Sequence, residues 1–193
     1  MARRIVLIGG SLGATRVLQA VLSSLPADFP APVAIVLHRG AETGPELCTQ
    51  LARDAKMPVE QAFDKQPIEP GRVYVAPPGY HLLVDGGHFA LSVDEPVQYA
   101  RPSIDALFDS GAASRGADVI AVALTSASSE GAKGAAAVVA RGGALAVQDP
   151  ASAEARRLPE AVLAAAPSCA VLAPERIAPW LARLAAGEEG PPR

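Results

Sequence analysis

The chain is short of several things, and each shortage closes off a class of function. Its two cysteines, Cys48 and Cys169, lie too far apart for metal-ligand spacing. Both are expected to be small buried residues of a reducing compartment, and no metal or organic cofactor is implied. Neither charge sign dominates: 17 Lys and Arg stand against 20 Asp and Glu, interspersed and without a basic stripe. Nucleic acid is therefore not an expected partner. Long apolar runs are missing too. Arg3 and Arg4 precede an apolar stretch of only four residues before Gly9, too short for a signal core or a membrane span. No membrane insertion is expected, and the expected location is the cytoplasm. The first glycine turn lacks both G-x-G-x-x-G and G-x-x-x-x-G-K-[ST], which argues against a nucleotide cradle, although a glycine turn at a helix N-terminus can still bind an anion.

What is present is a globular composition, with 50% of the 193 residues apolar. That length predicts one domain with a sizeable core, taken as residues 1–186, with "GEEGPPR" (187–193) as a loose tail. Strand-length runs ("RIVLIG", "PVAIVLH", "GRVYVAP", "DVIAVALT", "GALAVQD", "CAVLA") alternate with helical patterns ("TRVLQAVLSSL", "GPELCTQLAR", "SIDALFDSGAASR", "GAKGAAAVVARG", "LPEAVLAAA", "ERIAPWLARLAA"). "YHLLVDGGHFALSV" alternates around Asp85-Gly86-Gly87 and predicts an antiparallel hairpin. Continuous apolar strands between helices indicate a doubly wound α/β fold, its mostly parallel sheet covered by helices on both faces. Trp180, on the last helix, is expected in the core.

The working site of such a sheet lies at the carboxyl ends of its strands. Ser11 follows the first strand, His38 ends the second, and the loop after "DVIAVALT" carries Glu130. A serine, a histidine and an acid gathered at strand ends suit a nucleophile, its general base and the carboxylate that orients the base. Gly9-Gly10-Ser11-Leu12-Gly13 also reads G-x-S-x-G, a turn able to hold a hydroxyl proud of the sheet. The plainer alternatives are that Ser11 caps the next helix and that Glu130 is an acid of a helix's first turn. The chain order Ser, His, acid differs from that of the α/β-hydrolases.

"IGGSLGA", "VLHRG", "GRVYVAPPGYHL", "RPSIDALFDSGA", "VALTSASSEGAKGA", "GGALAVQDPASA" and "LPEAV" resemble, in order, the catalytic domain of the chemotaxis protein-glutamate methylesterases, from Arg4 to about Leu181. The resemblance implies a Ser-His-acid hydrolase that removes methyl esters from receptor glutamates and deamidates some receptor glutamines. Ser11 would be the nucleophile, His38 the base and Glu130 the third member. Backbone N–H groups of Leu12 and Ala127 would form the oxyanion hole, and Arg101 and His81 would bind substrate. The implied partners are methylated chemoreceptors or related signalling proteins. The family's third-strand loop reads T-G-M-G-x-D-G, whereas this chain has Thr125-Ser126-Ala127-Ser128-Ser129-Glu130-Gly131. Glutamate replaces aspartate, serines replace glycines, and Ala127 replaces a methionine.

Several residues carry plainer readings. His81 can make a structural hydrogen bond at a strand start, and His88 is expected to be exposed. Ser103 and Asp105 read as the cap and first-turn acid of a helix. Gln148 and Asp149 either shape the site or begin a turn into Pro150. Many relatives carry an N-terminal receiver domain, and with Met1 directly before the first strand the expectation is a free-standing enzyme. The altered acid loop leaves two rivals in place: a non-catalytic relative that binds receptors or signalling proteins, and a general serine esterase for small esters.

Overall fold

The first apolar run becomes the middle of the sheet. β1 (Ile5–Gly10) is buried along its whole length and is flanked on both sides by parallel strands, β2 (Val33–Leu37) and β7 (Val119–Ala123). A computed structural model describes residues 4–38 and 46–188. The sheet has seven strands in the order β3-β4-β2-β1-β7-β8-β9, completed by β3 (Val59–Gln61), β4 (Val73–Val75), β8 (Ala144–Gln148) and β9 (Ala170–Leu172). Every pairing within it is parallel. The predicted hairpin is β5 (His81–Asp85) with β6 (His88–Ser92), a separate antiparallel pair.

Strand side chains alternate between the two faces, as the period of two requires. Val6 and Ile8 point to one side, where α1 (Ala14–Ser24), α2 (Glu46–Ala52) and α6 (Pro174–Ala185) bring Leu18, Leu22, Leu51, Leu181 and the buried Trp180. Ile5 and Leu7 point to the other, against α3 (Ile104–Arg115), α4 (Ala132–Ala140) and α5 (Arg157–Ala165). The hairpin joins this second layer through Phe89, which meets Tyr74 edge-on at 4.9 Å between ring centroids.

The predicted elements are found, with one strand added. β3 carries only Val59, Glu60 and Gln61, so no apolar run marked it, and backbone pairing with β4 alone defines it. Cys48 and Cys169 are half-buried rather than fully buried, and burial pushes the Cys169 thiol up. His88 is exposed as expected. Of the expected tail 187–193, only Gly187 and Glu188 are described, and their amides bond to carbonyls of α6; the rest lies outside the described residues.

The order of strands places the site. From β1 the sheet extends in one direction through β2, β4 and then β3, and in the other through β7, β8 and β9. The crevice outside the carboxyl ends of β1 and β7 is therefore the topological switch point, where open α/β sheets bind their ligands.

α3 and α4 cross close to that crevice, and a glycine allows it. A Cβ on Gly134 would lie 2.8 Å from Phe108 Cβ and 2.9 Å from the Asp105 backbone. Gly134→Ala should gain helix propensity worth about 0.5–1 kcal/mol and lose more to overpacking of about 1–3 kcal/mol. The expected outcome is a lower urea midpoint at unchanged m value; an unchanged or raised midpoint would refute the close-approach account.

Candidate active site

Ser11 stands one residue beyond β1. Its amide donates to Thr125 O at 2.9 Å and its carbonyl accepts from the Ala14 amide at 2.9 Å, which turns the chain straight into α1. The N-cap of α1 is Gly13, at φ 80, and no side chain caps the helix, so the reading of Ser11 as a helix cap fails. Gly13 is needed at this turn for two reasons: its left-handed φ, and Glu154, whose Oε2 would lie 2.6 Å from an added Cβ. Thr125 stitches the turn from the β7 side, its hydroxyl donating to Leu12 O at 2.9 Å.

The pairing of Gly10 with Leu37 sets Ser11 and His38 side by side at adjacent strand ends, and the His38 amide donates to Gly10 O at 3.2 Å. The imidazole is 15% exposed, and its Nε2 meets Glu130 Oε2. Nδ1 is left as the ring atom available to a serine. Among the described residues no hydrogen bond joins the Ser11 hydroxyl to the ring, a contact that often tightens only when substrate is bound.

Glu130 is completely buried, and it does not serve its own helix. It lies two residues before α4, whose N-cap is Gly131, and its carboxylate reaches the N-terminus of α3. There it accepts from the Ser103 hydroxyl at 2.7 Å, the Ile104 amide at 3.0 Å and the Asp105 amide at 2.7 Å. Burial alone would push this carboxyl up. The hydrogen bonds from His38, Ser103, Asp105 and Ile104 outweigh it and hold the group below the ordinary glutamate value.

Asp105 makes the reverse connection. Expected to serve the start of its own helix, it reaches to α4 instead and accepts from the Gly134 amide at 2.6 Å. Burial first, and then the Glu130 charge, raise its pKa, with hydrogen bonds from Gly134 and Gly131 opposing. Two helix N-termini thus exchange carboxylates. Ser103 is the N-cap of α3, accepting from the Ala106 amide at 3.0 Å, and the same hydroxyl serves Glu130.

The serines of the acid loop carry hydrogen bonds. Ser126 Oγ accepts from the Ser128 amide at 3.2 Å, and Ser128 Oγ accepts from the Glu130 amide at 3.1 Å. These are two successive side-chain turns leading to the acid. Gln148, buried at the end of β8, accepts from the Thr125 amide at 2.9 Å and donates to Ser152 O at 3.2 Å, so it shapes the site from behind. Asp149 starts the turn, accepting from the Ala151 amide. Leu12 and Ala127 are both exposed, and among the described residues neither amide is hydrogen-bonded.

His81 and Arg101, expected to bind substrate, are engaged with backbone carbonyls. His81 is 3% exposed and its Nε2 bonds to Glu95 O at 3.2 Å, which leaves the ring no surface to offer a substrate. Arg101 spends Nη1 on the carbonyls of Val93 and Asp94, at 2.9 and 3.0 Å. Both side chains fasten the segment that precedes α3. Of the two readings of Gln148, shaping the site is the one the hydrogen bonds favour. Ser103 was visible in the sequence only as a cap and Thr125 only as a strand-end residue, and nothing there marked these two as supports of the acid and its loop.

The depressed pKa of Glu130 has a defined consequence for stability. Its contribution is complete above the unfolded glutamate value, about 4.3, and is lost as pH falls through its lower folded value. Urea unfolding between about pH 7 and pH 3 should show acid destabilisation that shrinks in Glu130→Gln, a variant also less stable at neutral pH. An acid limb identical in the variant and the parent would remove Glu130 as its source. Ser128→Gly should lower activity mainly through kcat, because it loosens the acid without touching substrate; a pure KM effect would contradict that.

The chain matches the family model "CheB methylesterase" over residues 6–181. It is 37% identical over 180 residues to a Leptospira interrogans protein described as a putative protein-glutamate methylesterase/protein-glutamine glutaminase, covering 93% of each chain. It is 40% identical over 148 residues to protein-glutamate methylesterase/protein-glutamine glutaminase 2 of Anaeromyxobacter dehalogenans, covering 77% of this chain and 43% of that one. The crystal structure of the Thermotoga maritima CheB methylesterase catalytic domain superposes with a TM-score of 0.89 at 31% identity, covering 94% of this chain and 98% of that one. With the family model spanning nearly the whole chain and the fold shared from end to end, the protein belongs to the CheB methylesterase family.

Proposed function

We propose that this protein is a protein-glutamate methylesterase acting on methylated chemoreceptors through Ser11, His38 and Glu130. The observation that carries the reading is the His38–Glu130 contact, made by a buried carboxylate whose remaining acceptor sites are filled by the N-terminus of α3. A carboxylate held in this way can fix the imidazole and stabilise the imidazolium that forms when the base takes a proton.

His38 Nδ1 removes the Ser11 hydroxyl proton as Oγ attacks the ester carbonyl. The tetrahedral oxyanion is met by the Leu12 and Ala127 amides, where one well-placed donor is worth about 10²–10³ in rate. Its collapse breaks the bond to the methoxy group, which leaves as methanol with the proton from His38. Water, deprotonated by the same ring, then attacks the acyl-enzyme and releases the glutamate carboxylate and Ser11. Glutamine deamidation, named for the relatives, uses the same steps with ammonia leaving. The domain is proposed to run from 1 to 186 and to work in the cytoplasm. No helix among the described residues is long and apolar enough to cross a membrane.

The rival reading as a non-catalytic binding module drew on the altered acid loop. Against it, the loop's serines hold hydrogen bonds that set Glu130 in place, and the longer acid reaches both His38 and α3.

Methanol release from a methylated receptor fragment is the direct test. Wild-type protein should release it, Ser11→Ala should fall to background, and Glu130→Gln should lose about 10²–10⁴ in rate. Glu130→Asp should fall between, because the shorter chain cannot reach both of its partners. No release by folded wild-type protein would end the proposal.

A further inference from the structure

The stretch of residues 93–101, between β6 and the cap of α3, takes no part in the chemistry above, yet it is fastened at several points. Arg101 ties it at the carbonyls of Val93 and Asp94, and His81 ties it at the carbonyl of Glu95. Beyond these ties Val97 and Ala100 bond to each other in both directions, at 3.1 and 2.9 Å. They close a two-residue turn around Gln98 and Tyr99, which sit at φ 46 and 68.

A turn with both central residues at positive φ suits Asn-Gly or Gly-Gly. Side chains with a Cβ are strained there, because the Cβ crowds the following carbonyl oxygen. Here the strained pair ends in a tyrosine that is fully exposed, at 103% of its reference area. Neither packing nor local propensity accounts for an aromatic held out on a fastened, strained turn. Strain of this kind persists where the surrounding structure enforces it, typically at ligand clamps and recognition sites.

Its surroundings point to what it meets. Ser103, whose hydroxyl supports Glu130, follows Tyr99 by four residues, a span of at most about 14 Å. Val93 and Tyr80, 67% and 43% exposed, flank the open end of the hairpin just beyond the His81–Ser92 pair. The chain reaches Tyr80 from β4, whose next residue, Ala76, bonds to Ile35 of β2, so this end of the hairpin lies toward the strand end that bears His38. Leu12, also exposed, directly follows the nucleophile. A small ester need fill only the crevice at Ser11, whereas a polypeptide substrate extends beyond the crevice over neighbouring surface.

We propose that Tyr99, with Val93 and Tyr80, is the docking contact for the receptor polypeptide that carries the methylated glutamate. The proposal rests on the methylesterase reading and names the surface by which that site selects a protein substrate over a free ester. Tyrosine suits the role, since it presents a large rigid contact area and is enriched among residues that dominate binding.

The test compares two substrates, a methylated receptor cytoplasmic fragment and a small p-nitrophenyl ester, in Tyr99→Ser and Tyr99→Gly. Glycine accepts the positive φ and keeps the turn intact, so a folding defect cannot mimic the effect. In both variants the ratio of kcat/KM for the receptor fragment to that for the small ester should fall at least fivefold, through KM for the fragment. An unchanged ratio would overturn the proposal. A binding measurement on Ser11→Ala protein, with and without Tyr99→Ser, reads docking without turnover. Fivefold weaker capture of the methylated fragment supports the contact, and equal capture overturns it. Absence of methanol release would refute the methylesterase reading alone, because the binding arm still decides the docking surface.

Discussion

A single buried carboxylate organises the catalytic end of this molecule. A charge removed from water costs several kcal/mol unless its lone pairs are filled, and Glu130 is completely buried. Its acceptors are met by a hydroxyl, two amides at the positive end of α3, and the imidazole. Three of those donors belong to the start of α3 and the fourth is His38. The group that orients His38 is thus also the group that closes the N-terminus of α3. Asp105 performs the reciprocal service for α4, so neither helix start can move without releasing a carboxylate of the other. The close crossing at Gly134 follows from this exchange, because each acid must reach amides of the opposite helix.

Topology brings these groups together from distant parts of the chain. Ser11 and His38 are neighbours because β1 and β2 are parallel and adjacent. The acid loop joins them because β7 pairs with the other edge of β1. All three carboxyl ends then open on one crevice, and the residues that follow each strand are free to carry chemistry while the strands are spent on the core. The loop after β7 is fastened on several sides: Thr125 to Gln148 and Leu12, Ser126 to Ala155, and Leu158 back to Ser126. Its shape is over-determined before any substrate arrives.

Much of this was legible in the sequence, and the limits have physical reasons. The strand-helix alternation and the hairpin at Asp85-Gly86-Gly87 follow from periodicity, which local sequence carries directly. Ser11, His38 and Glu130 were legible as strand-end residues, although spacing could not say that they meet. The rule that acids favour helix starts was legible at Asp105 and Glu130. It does not say which helix, and here each acid serves the other's. His81 and Arg101 stood out as polar residues near matched motifs, and only the packed hairpin shows them spent on the backbone of residues 93–95. β3 escaped because a three-residue edge strand has too little side-chain pattern to register.

The glutamate of this loop is best understood together with the serines before it. A longer side chain reaches two partners only if its own backbone is held at a suitable distance. The Ser126 and Ser128 hydroxyls each take the amide two residues on, and these turns fix the path from Thr125 to Glu130. A glycine loop would leave that path to be ordered at an entropic cost when substrate binds. This arrangement has a consequence for how the protein can change. Because one carboxylate serves both the helix start and the imidazole, a substitution that frees His38 by removing this carboxylate also strips the Ile104 and Asp105 amides of α3 of their acceptor. In the proposed mechanism stability and activity are therefore tied at Glu130, whereas Ser128 holds the acid's backbone without carrying its charge.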